Sequence, residues 1–160
     1  MSDEVQLREM LDHFAIEKLM VRYAERIDAN DPEGAAACYS EDGIGHYWGA
    51  FKGRAAIASR LTQILDDFAA SSYHLSNITL SINGDEATGL SYVYAFHLMA
   101  ATGEPMHYWG RWVDRIVRVD GEWLFAEREV VGVGRVPVED SPTEESYGHE
   151  FPGHPGRRAR

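Results

Sequence analysis

"SSYHLSNITLSI" (residues 71–82) runs through Asn83-Gly84-Asp85 into "EATGLSYVYAFHLMA" (residues 86–100). Ile78, Leu80 and Ile82 alternate with polar residues, the period of two that marks a strand with one buried face. An Asn-Gly step between two such runs is a tight hairpin signal. Counted backwards, the apolar face passes through Ser76 to His74, so the buried side of the strand opens on an imidazole. A buried imidazole must replace the hydrogen bonds it had with water.

Downstream, "MHYWGRWVDRIVRV" (106–119) and "EWLFAEREVVGVG" (122–134) are two further strands joined by Asp120-Gly121. Upstream the period changes to that of helices. Ile16, Met20, Tyr23 and Ile27 form one stripe of an amphipathic helix over residues 3 to about 28. Asp31 with Pro32 opens a short second helix. "GRAAIASRLTQILDDF" (53–68) is a third, striped by Ile57, Leu61, Ile64, Leu65 and Phe68. "GIGHYWGAFKG" (43–53), between the second and third helices, suits a short hairpin or an irregular strand. Helices followed by a run of long antiparallel strands is an α+β pattern, with a curled sheet folded over helices and a cavity between them. After Val136 the periodicity stops, and residues 137–160 hold four of the six prolines. Residues 1–136 therefore read as one domain and 137–160 as a Pro/Gly-rich tail, either disordered or laid across a neighbour or a cavity mouth.

At 160 residues the chain is large enough for one self-sufficient core. The net charge of −11 argues against a nucleic-acid partner, whose phosphates it would repel. No apolar run reaches the roughly 20 residues of a membrane span, and the acidic N-terminus is unlike a signal peptide. The single cysteine, Cys38, excludes an intramolecular disulfide and suits a cytoplasmic location. No phosphate loop or dinucleotide fingerprint is present, and no His/Cys cluster has metal-ligand spacing. His149 and His154 in the tail read as solvated. No cofactor and no metal are expected.

The residues "IEKLMVRYAERIDANDPEGAAACYSEDG" (16–43), "FKGRAAI" (51–57) and "YHLSNITLSINGDEAT" (73–88) together resemble the SnoaL-like branch of the nuclear transport factor 2 superfamily. The similarity spans roughly residues 8 to 135. It implies a cone-shaped α+β barrel with N-terminal helices on a curled, mostly antiparallel sheet and a ligand pocket inside. Within that superfamily the chain is most similar to the cofactor-free lyases: scytalone dehydratases, bile-acid 7α-dehydratases and hexachlorocyclohexane dehydrochlorinases. Their His–Asp dyad matches His74 and Asp28; a tyrosine five residues before the aspartate matches Tyr23, and a last-strand arginine matches Arg128. The lysine that the dehydrochlorinases carry on the first helix aligns with Tyr23 instead.

The residues themselves are consistent with those roles. Asp28 lies about 120° from the centre of the helix stripe, on its shoulder at the C-terminal end. A carboxylate there opposes the helix dipole by several tenths of a kcal/mol unless a donor answers it, and His74 would answer. So paired, the imidazole would be a general base, with Tyr23 donating to an oxygen and Arg128 steadying developing negative charge. Each has a plainer reading: His74 as a satisfied core residue, Tyr23 as stripe filler, Asp28 as a turn residue, Arg128 as a surface ion pair with its flanking glutamates. His97 shares strand parity with Val93 and Ala95, either in the pocket or facing solvent. Tyr47 and Trp48 are expected to close the pocket mouth or fill core. Trp109 and Trp112 take opposite faces, and Trp109 is expected to be the pocket residue.

The expected activity is a cofactor-independent lyase, elimination of water before others, or an isomerase, on a mostly apolar cyclic molecule. A polyketide cyclase of the same family, or a non-catalytic binding module, are the alternatives. The partners expected are a small-molecule substrate and further copies of the chain, a trimer before a dimer, with no nucleic acid and no membrane.

Overall fold

The computed structural model describes residues 3–137. The tail expected at 138–160, with His149 and His154, lies outside the described residues. The first helix, α1, covers Asp3–Asp28; α2 covers Pro32–Ala36; strands β1 (Tyr39–His46) and β2 (Ala50–Lys52) precede α3 (Arg54–Leu65). Four long strands follow: β3 (Phe68–Asn83), β4 (Glu86–Met99), β5 (Pro105–Val119) and β6 (Glu122–Pro137). Asp31 caps α2 as its sequence promises, its Oδ1 accepting from the Gly34 N–H at 2.8 Å.

The strands form a single six-stranded sheet in the order β2-β1-β6-β5-β4-β3. β3 to β6 are an antiparallel meander, and β1 joins β6 in parallel. The sheet curls but does not close, so the architecture is an open α+β sheet rather than a complete barrel. Both predicted tight turns form. Asp120 and Gly121 each take positive φ, as a two-residue hairpin with native strand twist requires; in the β3–β4 turn Gly84 takes φ +65°.

The inner face of the sheet receives α1 through the predicted stripe. Ile16, Met20, Tyr23 and Ile27 are all buried, with Trp112, Ile116 and Phe125 of the sheet in the same core. The Tyr23 ring stands edge-on to Trp112 (5.2 Å between centroids) and to Phe125 (5.9 Å), geometries that suit aromatic quadrupoles. Nearer the N-terminus, Asp12 fastens the helix to the sheet, accepting from Arg118 Nη2 at 2.7 Å and Trp123 Nε1 at 3.1 Å.

One local feature overturns the face count. Ser76 pairs with Tyr92 and Thr79 with Leu90, so two residues of β3 oppose one of β4. This is a β-bulge. Asn77 sits in it at φ +48°, a conformation asparagine tolerates better than most residues. Across the bulge the inward parity changes: Ile78, Leu80 and Ile82 pack on the core on one side, Leu75 and Tyr73 on the other. His74 consequently faces outward and is exposed.

Candidate active site

Between α1, α3 and the curled end of the sheet lies a cavity of about 140 Å³. An apolar cavity near 150 Å³ holds a benzene ring, so this one takes a single ring, or part of a larger cyclic molecule protruding through the mouth. α1 contributes Tyr23 and Ile27, and α3 contributes Leu61, Ile64 and Leu65. The buried Tyr47 and the exposed Trp48, the latter held at φ +57° in the β1–β2 turn, also line it. The sheet supplies Phe68, Tyr73, His97 and Trp112, together with Tyr108 and Arg135. The polar groups in this apolar wall are therefore phenols, an imidazole and a guanidinium.

His97 is 3% exposed. Its ring stacks on Phe68 (4.0 Å, 15°), meets Tyr73 edge-on at 5.4 Å, and its Nδ1 lies 2.9 Å from Ser71 Oγ. The inward parity that leaves it beside Val93 and Ala95 places it in the cavity rather than in solvent.

Three buried phenols form a chain. Tyr47 Oη lies 2.6 Å from both Tyr23 Oη and Tyr39 Oη. Tyr39 is fully buried outside the cavity, and leaving its O–H without an acceptor would be costly, so it donates to Tyr47. Two hydrogen bonds use two of the three hydroxyl protons. The third is left to the cavity, on Tyr23 or Tyr47. Burial pushes the pKa of each of these phenols well up, against the lowering field of Arg128, so the chain is a proton donor and not a phenolate.

Arg128 is neither at the surface nor in the cavity wall. It is fully buried and forms a bidentate pair with Asp114, Nε–Oδ1 and Nη2–Oδ2 both at 2.7 Å. Its guanidinium stands 4.4 Å from the Tyr23 ring centroid, 4.1 Å from Trp112 and 3.8 Å from Phe125. It was expected in the site, but the structure sets it behind the Tyr23 and Trp112 rings rather than in the lining.

Nor does the structure bring the side chains of the expected dyad together. Asp28 is at the end of α1 as foreseen, but the donor that answers it is the Tyr73 backbone N–H, 3.1 Å from each carboxylate oxygen. Burial pushes the Asp28 pKa up to about 6, opposed by that N–H and by the nearby charge of His74. His74 itself hydrogen-bonds Ser72 Oγ at 3.1 Å and leans on Tyr94, on the sheet face opposite the cavity. Trp109 is on that outer face too, 42% exposed, and Trp112 is the tryptophan of the cavity wall. Of the eight residues predicted for the site, Tyr23, Tyr47, Trp48 and His97 line the cavity, Asp28 braces it through Tyr73, and His74, Arg128 and Trp109 do not reach it.

Tyr73, Tyr108 and Arg135 escaped the sequence reading. The signal for Tyr73 was Asn77, a residue tolerant of positive φ placed mid-strand, which marks the bulge that turns its neighbour in. Among the described residues, no group of three or more His, Cys, Asp or Glu side chains is placed to hold a metal ion. No helix among them is long and apolar enough to cross a membrane.

An open α+β sheet with a helix-covered cavity defines a class shared by many small-molecule proteins, and comparison narrows it. Residues 8–129 match the SnoaL-like domain, and the chain belongs to that family. Its structural neighbours include a hexachlorocyclohexane dehydrochlorinase, and the fold is shared closely. A protein of Novosphingobium aromaticivorans DSM 12444, provisionally named a scytalone dehydratase, is 28% identical with a TM-score of 0.75, over 95% of this chain and 97% of that one. A hexachlorocyclohexane dehydrochlorinase, LinA type 2, is 17% identical with a TM-score of 0.80, over 94% and 99%. A cystatin-like protein of unknown function from Nostoc punctiforme PCC 73102 is 26% identical with a TM-score of 0.67, over 76% and 91%. No curated protein matches the sequence.

Proposed function

We propose that this protein is a cofactor-independent lyase or isomerase for a small, largely apolar cyclic molecule, with His97 as the group that takes a proton from substrate carbon. The observation that carries this reading is the meeting, in one aromatic-walled cavity, of a buried imidazole and a phenol chain with one proton left over. When Nδ1–H donates to Ser71, Nε2 holds the lone pair a base needs. Removing a proton beside a carbonyl puts negative charge on its oxygen, and the remaining Tyr23–Tyr47 proton neutralises that oxygen or the departing hydroxyl. Arg128 stabilises the same charge through its field without touching substrate. Asp28 is a positioning residue in this scheme: it holds the Tyr73 backbone, and with it a wall of the cavity. The provisional name of the 28%-identical protein favours elimination of water among the possible outcomes.

The test uses one- and two-ring β-hydroxy ketones in D2O, followed by NMR for deuterium at the α-carbon and for loss of water. The wild type should exchange and eliminate. His97→Asn should lose 10²- to 10⁴-fold, the usual contribution of a positioned acid–base group, while His74→Asn keeps its rate. The opposite ranking of the two histidines sinks the assignment. Product structure separates elimination from aldol closure, which begins with the same deprotonation.

The outer sheet face supports a homo-oligomer, a trimer by family resemblance or a dimer. His74, Tyr94, His107 and Trp109 form a continuous ring cluster there, with Tyr92 and Val131 part-exposed beside it. Apolar patches of this kind mark protein contacts. Light scattering should give a multimer that Trp109→Glu dissociates, and a monomeric wild type would refute it.

A further inference from the structure

Two donors in the cavity wall are unused by the reaction scheme above. Tyr108 and Arg135 are direct cross-strand partners on β5 and β6, and both line the cavity. The Tyr108 hydroxyl is buried with no hydrogen-bond partner among the described residues. Gly110 is what lets it lie there, since a side chain at that position would collide with the hydroxyl. A buried phenol O–H without an acceptor is costly in a finished protein, and this one belongs to a residue of the cavity wall.

Arg135 is exposed at the mouth and is, among the described residues, the only side chain with a permanent charge in the cavity wall. No carboxylate among the described residues pairs with it. The other surroundings are aromatic and aliphatic, and the chain as a whole carries −11. A net acidic protein repels anions, so a guanidinium with no carboxylate partner among the described residues, cross-strand from an unsatisfied phenol, is a local reversal of that field.

Resting on the reading of the cavity as a substrate site, we infer that the ligand is a cyclic molecule bearing a carboxylate, whose ring lies against Phe68 and Trp112 while Arg135 and Tyr108 bind the acid group at the mouth. A planar guanidinium matches a carboxylate with two parallel hydrogen bonds, and the phenol adds a third from the opposing strand. The arrangement fixes which end of the ring points inward toward His97.

The test compares naphthalene-2-carboxylate with naphthalene-2-carboxamide, which share a ring and differ in charge, by titration calorimetry on the full chain. The carboxylate should bind more tightly. Arg135→Gln should weaken it roughly tenfold or more, the usual worth of a charge-assisted hydrogen bond, and leave the amide unchanged. Arg135→Lys should retain part of the preference, and Tyr108→Phe should lower carboxylate affinity severalfold. Equal binding of the two probes, no binding of the carboxylate, or equal weakening of both by Arg135→Gln overturns the inference. So does carboxylate binding that survives Ile64→Trp, a substitution that fills the cavity. Neither probe is turned over, so a failure of the His97 chemistry would leave this result intact.

Discussion

Asp114 pairs with Arg128 across β5 and β6, and the next cross-strand pair, Arg115 with Glu127, points to the other side of the sheet. The inner pair is fully buried with both hydrogen bonds at 2.7 Å. The outer pair is half-exposed at 3.6 Å, and Glu127 shares its carboxylate with His46. The histidines divide the same way. His97 is enclosed by Phe68, Tyr73 and Ser71 in the cavity; His74, on the neighbouring strand, joins the exposed rings outside. The same residue types therefore do different work on the two faces, and what decides is whether water can reach them. Buried, a charge needs its partner, while outside solvent screens the pair.

Breaking the inner pair is the strongest challenge to that contrast. Arg128→Met leaves the Asp114 carboxylate buried and unpaired, and should cost about 3–5 kcal/mol in urea unfolding. A loss below about 1 kcal/mol would mean that water reaches Asp114 and that the two faces are alike.

The next effect is in pH. The Asp28 pKa is raised from its ordinary 3.8 to about 6 in the folded protein, so the folded state holds that proton more tightly than the unfolded state. Its contribution is fully present below 3.8 and is lost as pH rises through about 6. Allowing for the solvent at its edge, stability should fall by about 1–2 kcal/mol across that interval. In Asp28→Asn this component should be absent from unfolding curves between pH 4 and 7. A variant with an unchanged slope would show that Asp28 is not desolvated.

The bulge gives a third handle. Asn77→Val places a β-branched residue at positive φ and should cost about 1–2 kcal/mol, whereas Asn77→Gly should be close to neutral by the same unfolding measurement. Equal losses would point to the asparagine side chain rather than its backbone. Smallest of all, Glu127→Gln on the outer face should change stability by less than about 1 kcal/mol, and by less still in high salt.

The three helices, the Asp31 cap, both tight turns and the alternation of β4 were legible because each depends on neighbours in sequence; the end of the third was not, since Phe68, read as the last of its stripe, opens β3 instead. Tyr23 and Ile27 reached the cavity from a stripe that needed no partner to be recognised. The misplacement of His74 came from counting parity through Asn77, where one inserted residue reverses the faces. Arg128 was hidden for another reason. Its flanking glutamates face outward on alternate positions, and the carboxylate that permits its burial is 14 residues earlier on another strand. Likewise the donor for Asp28 is a main-chain N–H, which no residue type announces.

The insertion at Asn77 carries an evolutionary consequence. Removing one codon there would bring Ser76 and its predecessors into step with the rest of the strand, presenting an imidazole to the interior and sending the Tyr73 phenol outside. A lineage could in this way exchange the groups that face its cavity without substituting a single residue, by changing only the phase in which the chain is read.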